Sequence, residues 1–214
     1  MYVPAHFRED RIPILHDAIR EYSFGTLITA GERELEASHV PMLLDAAYGS
    51  LGTLLGHMAR ANSQWQRVNS GFRALAIFLG PNAYITPSWY PTKQQTGKVV
   101  PTWNYLAVHA YGNISFYDDS SELRDHVGKL TAAHESARAA PWSVGDAPAD
   151  YIEKMLGGIV GFRLAITKLE GKWKMSQNRS EQDRTGVREG LAGEGGKNEE
   201  LVAAIMADRT SANA

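Results

Sequence analysis

A short polar run in the first third of the chain has the residue types expected of a phosphate site. It contains His57, Arg60 and Asn62, and Trp65 follows three residues later. The run comes where a predicted strand gives way to a short helix or loop, and a helix N-terminus offers free N–H groups and a positive dipole end. An arginine adds a guanidinium that can donate two parallel hydrogen bonds. The run is therefore either a phosphate site or a strand-to-helix turn with a surface arginine.

Two tryptophan-containing segments offer flat surfaces for an aromatic ligand. Ser88 and Trp89 form the first, and Thr102, Trp103 and Asn104 form the second. Aromatic side chains can flank a heteroaromatic ring, while Ser, Thr and Asn side chains bind its polar edge. From composition alone, an aromatic core or a subunit interface fits these segments equally well.

Two further polar segments lie in or beside predicted strands. Ser38, His39 and Val40 precede a proline, which indicates a strand edge or a bulge. A lone histidine in that setting is more often a structural hydrogen-bonding residue than a ligand. Gln177 and Arg179 come at the end of a predicted hairpin, where a solvated strand end is the alternative interpretation.

Several signatures of catalysis and metal binding are missing. The chain has no cysteine, which excludes disulfides, thiolate metal sites and cysteine nucleophiles. The dinucleotide-binding glycine pattern and the nucleophile elbow are also absent. His134 and Glu135 begin a zinc-protease motif, but Arg138 stands where the second histidine belongs. The seven histidines have no metal-ligand spacing, so we expect no metal site.

The elements that position these residues are mainly strands. Alternating and β-branched patterns predict strands over 24–29, 35–44, 50–58, 72–79, 83–86, 99–117, 159–169 and 172–175. Turn signals at 80–82 and 170–171 separate neighbouring strands, and 112–113 indicates a bulge or hairpin. Helices are predicted over 8–22, 119–140, 150–156, 180–191 and 198–209. Because the strands come in runs, we expect an antiparallel sheet or barrel, mainly β with peripheral helices.

Composition limits the classes of partner. The 214 residues include 22 Lys plus Arg against 24 Asp plus Glu, a formal net charge of −2, so no global attraction to nucleic acid is expected. The segment 168–188 holds six basic residues against three acids and is the candidate DNA contact, although a solvated face is the alternative. No signal peptide or membrane span is visible, which predicts a cytoplasmic protein without membrane contact.

Taken together, the motifs resemble one family. The segments 1–9, 38–41, 56–62, 87–90, 100–105, 174–179 and 183–187 occur in the order found in the PaiB family of FMN-binding negative transcriptional regulators. The resemblance covers about residues 1–192, which we predict to be one domain. Residues 193–214 carry no matching motif and are predicted to form a helical tail.

The resemblance implies a fold, a cofactor and a set of site residues. The fold is the FMN-binding split β-barrel shared with pyridoxamine-phosphate oxidases and flavin reductases, which are homodimers with FMN at the subunit interface. The implied cofactor-binding residues are Ser38, His39, Val40, His57, Arg60, Asn62, Ser88, Trp89, Thr102, Trp103, Asn104, Gln177 and Arg179. Arg60 and Asn62 would lie near the phosphate. The oxidases carry adjacent Arg and Lys there, whereas this chain has no Lys beside Arg60.

Three functions remain open at this point. The first is an FMN-binding regulator, although no helix-turn-helix is visible. The second is an FMN-dependent oxidoreductase acting on a small molecule, in which the cofactor carries the chemistry. The third is a haem-binding split barrel with a histidine as axial ligand. The visible absorption spectrum of the purified protein distinguishes flavin from haem.

The strand predicted over 99–117 also indicates a homodimer. Alternation places Leu106 and Val108 on one face and Trp103, Tyr105 and Tyr111 on the other. Both faces are too apolar for a solvated sheet, so we expect one face in the core and the other in a subunit interface.

Overall fold

Seven strands form the sheet of the computed structural model, which describes residues 1–31, 34–68 and 72–211. The strands are β1 (Arg8–Glu9), β2 (Phe24–Ala30), β3 (Leu35–Asp45), β4 (Thr53–Ala59), β5 (Arg73–Ile85), β6 (Thr102–Tyr117) and β7 (Ile159–Lys174). Their order is β1-β7-β4-β3-β2-β5-β6, and β6 also pairs with β7, so the sheet closes in a ring. The antiparallel, mainly β architecture predicted from the runs of strands is confirmed.

Seven α-helices accompany the sheet in the described ranges: α1 (Ile12–Glu21), α2 (Gln64–Arg67), α3 (Thr92–Thr96), α4 (Ser120–Glu135), α5 (Ala149–Leu156), α6 (Glu181–Glu194) and α7 (Lys197–Ser211). The start of α4 is as predicted, because the Asp119 carboxylate accepts a hydrogen bond from the Glu122 N–H. The first helix starts later than predicted, since Arg8 and Glu9 pair with β7 instead. No helix within the described residues is long and apolar enough to cross a membrane.

Two predicted strand breaks are wrong, because the turn signals at 80–82 and 170–171 lie inside β5 and β7. At 112–113 the predicted hairpin is wrong, since both residues lie inside β6, whereas the alternative prediction of a bulge is compatible with a continuous strand. Gly171 remains in the ladder opposite Glu9. At Gly112, a Cβ would lie 2.2 Å from the carbonyl oxygen of Ala165. A glycine in a strand can mark a close backbone approach rather than a turn, and that is its role at Gly112.

The chain divides into two compact units. Unit 1 comprises residues 1–11, 79–108 and the chain from 170 onward, and unit 2 comprises residues 12–78 and 109–169. In unit 1, α6 and α7 bury Leu191 and Val202, both fully enclosed. The helical tail thus packs within unit 1, while the predicted domain boundary at 192 stays a prediction and residues 212–214 lie outside the described chain.

In unit 2, strand alternation separates a buried from an outer sheet face. Leu27 and Leu54 are fully buried, whereas Phe24 on the outer face of β2 is 69% exposed. Outside the sheet, α4 and α5 pack through Leu123, Ile152 and neighbouring apolar residues. This packing fixes the position of α4 and therefore of the polar side chains that it carries.

Candidate functional site

A hydrogen-bonded cluster joins the start of β3 to α2 in unit 2. The Ser38 hydroxyl donates to the Gln64 side-chain oxygen at 2.6 Å and accepts from the Asn62 amide at 2.8 Å. The Gln64 amide donates in turn to the buried hydroxyl of Thr29 at 3.0 Å. Two predicted site residues, Ser38 and Asn62, are therefore in contact. Gln64 also belongs to this cluster, and the sequence does not reveal it because the partners of its side chain lie more than 20 residues away.

Arg60 lies at the C-terminal end of α5. Its Nε donates to the carbonyl of Gly157 at 2.8 Å, and one Nη donates to the carbonyl of Ile159 at 3.2 Å. The other Nη reaches an Asp118 carboxylate oxygen at 3.4 Å. A guanidinium has five N–H donors, so two remain beyond these three contacts. These hydrogen bonds hold the Arg60 side chain in place. Because 37% of the side chain is exposed, its remaining N–H groups can still donate to an anion.

The N-terminus of α2 contributes less to a phosphate site than the sequence indicated. The helix has only four residues, and the Gln64 N–H already donates to the side-chain oxygen of Asn62 at 3.0 Å. The helix dipole falls off within the first turn and depends on free N–H groups. Any anion in this part of unit 2 would therefore rely mainly on Arg60.

Along β3, neighbouring residues point to opposite faces. Val40 is buried with 7% exposure, so its side chain belongs to the core. His39 faces outward, where its Nδ1 lies 3.0 Å from the Thr26 hydroxyl and its ring stacks at 6.5 Å on Phe24. Of these two predicted site residues, only His39 offers a side chain to a ligand on the outer face.

His57 pairs with a second histidine on α4. Its Nδ1 lies 3.1 Å from Nε2 of His126, which is only 2% exposed. Burial lowers the pKa of His57, and burial together with His57 lowers the pKa of His126 to about 4. Both rings are therefore neutral at pH 7. The remaining ring nitrogen of His126 is buried and has no hydrogen-bond partner among the described residues.

A cavity of about 200 Å³ adjoins this histidine pair. It is lined by His126 and by charged groups of both signs, including Asp45, Glu122 and Arg163. Glu122 and Arg163 already pair at 2.6 Å. His126 cannot be identified from the sequence, because it lies 69 residues from His57 and nothing in its local pattern marks it.

In unit 1, Lys174 organises the start of β6. Its ammonium donates to the Thr102 hydroxyl at 2.6 Å and to the Trp103 carbonyl at 2.5 Å, and burial lowers its pKa. The Trp103 ring is 53% exposed and meets Tyr84 edge-on at 5.9 Å. Trp103 therefore remains available to a ligand or partner, while the Thr102 hydroxyl is engaged.

Asn104 belongs to the interior of unit 1. It is fully buried, and its amide donates to the Ser176 hydroxyl at 3.0 Å and to the Met206 sulfur at 3.5 Å. The contact joins β6 to the turn after β7 and to α7. In unit 1, this side chain ties three elements together.

Gln177 and Arg179 are engaged with their own unit. The Gln177 oxygen accepts from the Met175 N–H at 2.7 Å, and its amide donates to the Trp173 carbonyl at 2.5 Å. The Arg179 guanidinium lies 4.9 Å above the Tyr90 ring. Both side chains stabilise the turn after β7, and their predicted role at the cofactor stays a prediction.

Ser88 and Trp89 lie in a single turn of 3₁₀ helix, Pro87–Trp89. Ser88 is exposed, whereas the indole of Trp89 packs on the glycine face of α6. A Cβ at Gly190 would lie 2.3 Å from this ring, and one at Gly186 would lie 2.1 Å from the Trp89 carbonyl oxygen. The two glycines therefore allow the close contact that positions Trp89.

We expect Gly190→Ala to destabilise the protein by roughly 1–3 kcal/mol, because the added methyl overpacks against the Trp89 ring. Gly193→Ala is the matched control on the same helix, where a Cβ meets nothing within 4 Å. Alanine there should stabilise the helix by up to about 1 kcal/mol. Urea unfolding of both variants measures the difference. Equal effects would contradict the packing of Trp89 on α6.

The basic segment 168–188 is partly neutralised by its own surroundings. Lys172 is buried and donates to the Tyr2 carbonyl at 3.1 Å, and Lys174 is held at β6. Arg184 pairs with Glu181.

Among the described residues, no group of three or more His, Asp or Glu side chains is placed to hold a metal ion.

The predicted site residues fall into two groups. Unit 2 carries Ser38, His39, Val40, His57, Arg60 and Asn62. Unit 1 carries Ser88, Trp89, Thr102, Trp103, Asn104, Gln177 and Arg179. Within unit 2 the structure joins Ser38 to Asn62, while His57 pairs with α4 instead.

The chain is similar to known proteins along nearly its whole length. A family model described as "Putative FMN-binding domain" matches residues 1–168. An uncharacterized protein of Emericella nidulans, AN0679, is 37% identical over 244 residues, covering 98% of this chain and 97% of that protein. The protease synthase and sporulation protein PAI 2 of Bacillus subtilis is 32% identical over 209 residues, which cover 98% of each chain.

Solved structures show the same fold at low sequence identity. The FAD and haem binding protein from Mycobacterium smegmatis has a TM-score of 0.58 at 15% identity, covering 83% of this chain and 78% of that one. The flavocytochrome Anf3 from Azotobacter vinelandii has a TM-score of 0.57 at 11% identity, covering 86% and 78%. These structural similarities confirm that the chain has the split-barrel fold of flavin-binding proteins. At such low sequence identity they support the fold alone.

Proposed function

The chain belongs to the PaiB family of FMN-binding domains, and on this premise we propose that it binds FMN and acts as a negative regulator of transcription. The family match over residues 1–168 is the observation that carries the proposal. The matched region includes every predicted site residue up to Asn104. The relative PAI 2, named for protease synthesis and sporulation, supports the regulatory part.

The residues of unit 2 fit a flavin nucleotide. Arg60 keeps two N–H donors for a phosphate, and two backbone carbonyls hold its guanidinium in place. On the outer face of β3, His39 and Thr26 offer polar groups beside the exposed ring of Phe24. Bound FMN would supply redox chemistry, and these side chains would bind its phosphate and orient its ring.

Titration of the purified, cofactor-free protein tests the flavin part of the proposal. We expect FMN to bind with one site per chain and to give the absorption of a yellow flavoprotein. Haemin should give no Soret shift. Saturable haemin binding without FMN binding would favour the haem-binding alternative, and binding of neither would contradict the proposal.

We expect only weak DNA binding with a shallow salt dependence, because several basic side chains of the segment 168–188 have partners within the protein. The logarithm of the affinity changes with the logarithm of salt concentration by about −0.9 per neutralised phosphate. Arg184→Ala combined with Arg188→Ala should flatten this slope and leave FMN binding unchanged. A salt series of fluorescence-anisotropy titrations measures it.

Two other outcomes of the DNA-binding titrations would contradict this expectation. Tight binding to arbitrary duplex DNA, with a steep salt dependence, would contradict the expectation drawn from a formal net charge of −2 and a partly neutralised basic segment. Absence of binding at every salt concentration, with FMN bound, would favour the FMN-dependent oxidoreductase.

We propose that the protein is a homodimer, because unit 1 exposes several large apolar side chains. Leu79, Tyr84, Val100 and Trp103 are 58%, 48%, 64% and 53% exposed. Subunit interfaces are enriched in aromatic side chains of this kind. Multi-angle light scattering should give twice the monomer mass, and Trp103→Glu should shift it toward the monomer. Trp142→Glu, at a 46% exposed tryptophan of unit 2, is the control and should leave the dimer intact.

A further inference from the structure

We propose that the cavity of about 200 Å³ in unit 2 is a second ligand site. Its ligand is a flat, one-ring organic cation, with an ammonium or amidinium group at one end and an N–H donor at the other. The α4 cavity, as we name it, lies between α4 and the face of β4 and β7 that points away from the core. None of its described lining residues belongs to the predicted FMN set, so the inference goes beyond the proposed function.

A helix and a sheet form the walls of the α4 cavity. Thr53 and Leu55 are alternate residues of β4, so their side chains share one face of the strand. Arg163 lies opposite Leu55 in the β4–β7 ladder, and its guanidinium lies 4.2 Å from the centre of the Tyr117 ring. His126 lines the cavity from α4. The walls therefore belong to regular elements whose positions are fixed by backbone hydrogen bonds and packing.

The α4 cavity has an exposed mouth and a buried base. Tyr48 is 67% exposed and Asp45 is also exposed, whereas His126 is only 2% exposed. Leu55 and the Tyr117 ring supply apolar contacts along the wall. A cavity of about 150 Å³ can hold one benzene molecule, so the α4 cavity has the size for a single aromatic ring with a small group at each end.

The charges that line the α4 cavity favour a cation. Its three carboxylates outnumber its two cations, which leaves one negative charge in excess. Glu122 pairs with Arg163 at 2.6 Å, and Asp125 pairs with Lys129 at 2.7 Å. Asp45 has no ion pair among the described residues. A cationic group beside Asp45 would balance this charge and gain a charge-assisted hydrogen bond, whereas an anion would be repelled.

The nearest competitor for Asp45 is already engaged. The pKa of Lys129 is raised mainly by its hydrogen bond and charge interaction with Asp125, and Asp45 adds a smaller effect in the same direction. Lys129 therefore remains bonded to Asp125, and the Asp45 carboxylate is left to a ligand at the mouth of the α4 cavity.

His126 supplies an unsatisfied polar group at the buried end. Its Nε2 lies 3.1 Å from Nδ1 of His57, and its own Nδ1 is buried without a hydrogen-bond partner among the described residues. Burial and the neighbouring His57 lower the pKa of His126 to about 4, so the ring is neutral at pH 7. With the proton on Nε2 donated to His57, Nδ1 is an acceptor. An N–H group at the inner end of the ligand would satisfy it.

Three related compounds test the two ends of the site. 4-Aminobenzamidine carries an amidinium at one end of its ring and an amino N–H at the other, 4-aminobenzamide is its neutral counterpart, and benzamidine lacks the amino group. Calorimetric titration of the full chain near neutral pH should give one site per chain. We expect 4-aminobenzamidine to bind about 10-fold more tightly than 4-aminobenzamide and about 5-fold more tightly than benzamidine.

Matched variants assign each preference to its residue. Asp45→Asn should weaken 4-aminobenzamidine by about 10-fold and leave 4-aminobenzamide unchanged. Asp17→Asn, at a 71% exposed carboxylate of α1 in unit 2, is the control and should change neither. His126→Phe should abolish the preference for 4-aminobenzamidine over benzamidine, and His134→Phe, at an exposed histidine of α4, should keep it.

Several results would overturn the proposal. These are equal affinity for the three compounds, absence of binding, and insensitivity of 4-aminobenzamidine to Asp45→Asn. The first two are measured on the wild type and the third on a variant of an exposed residue, so the test does not depend on the folding of His126→Phe.

Repeating the titrations at saturating FMN distinguishes this proposal from the proposed function. Unchanged 4-aminobenzamidine binding supports two separate sites. Competition between FMN and 4-aminobenzamidine would make the α4 cavity part of the flavin site and overturn the inference. Failure of FMN to bind at all, with 4-aminobenzamidine binding intact, would contradict only the proposed function.

Discussion

FMN binding is expected to weaken by roughly 1.5–3 kcal/mol when Arg60 is replaced by Ala, the scale of one charge-assisted hydrogen bond. Arg60 is anchored by the carbonyls of Gly157 and Ile159, so its two remaining donors are oriented before a ligand arrives. Riboflavin lacks the phosphate. It should therefore bind the wild type weakly and lose little on the same change.

A control separates phosphate binding from stability. Arg60→Ala also removes the side-chain hydrogen bonds to the carbonyls of Gly157 and Ile159, and this loss by itself lowers stability. Arg67→Ala removes a nearby 50% exposed arginine that pairs with Glu34 and Glu36, and it should leave FMN affinity unchanged. Fluorescence titration of both flavins with each variant measures the effect. Equal losses for FMN and riboflavin in Arg60→Ala would place the phosphate elsewhere.

Acid is expected to destabilise the protein through the His57–His126 pair. A histidine in the unfolded chain has a pKa near 6.5, whereas the native pKa of His126 is about 4. Below pH 6.5 the unfolded state therefore binds more protons than the native state. Stability should fall as the pH drops from 6.5 to about 4, by about 3 kcal/mol for His126, and His57 changes in the same direction.

The charges around His126 act in both directions. Asp125 raises its pKa, while Lys129 and Arg163 lower it, but burial is the largest effect. His126→Gln removes the titrating group and should reduce the loss of stability between pH 7 and pH 4.5. His134→Gln, at an exposed histidine of the same helix, is the control. Urea unfolding at the two pH values measures the change, and identical losses in wild type and His126→Gln would contradict this account.

Local features of the sequence predicted the local structure well. The capping pair Asp119 and Glu122 marks the start of α4, and glycine ends α5 at Gly157. Alternation along β6 placed Leu106 and Val108 on the face opposite Trp103, and the structure shows that the first two are 3% and 0% exposed while Trp103 is 53% exposed. These features depend on a backbone and its nearest neighbours in the chain, so a short window of sequence contains all the information they need.

Local sequence patterns did not predict the continuity of strands that pair with strands distant in the sequence. The glycine, proline and asparagine residues within β5, β6 and β7 locally favour turns or interruptions. The closed ring instead keeps these strands continuous, and Gly112 serves the close approach of β6 to Ala165. A glycine is suitable for both a turn and a close contact, and only the partner strand determines which one it makes.

By itself, the sequence determined the mainly β architecture, the order of motifs that marks the PaiB family, and the residues around Arg60 as a candidate phosphate site. Only the tertiary structure determined the partners of those residues. It pairs His57 with His126, joins Ser38 to both Asn62 and Gln64, and holds Arg60 against the end of α5. The physical reason is that burial and hydrogen bonding depend on groups that are close in space. Residues 69 or 97 positions apart come together only when the sheet and its helices have packed.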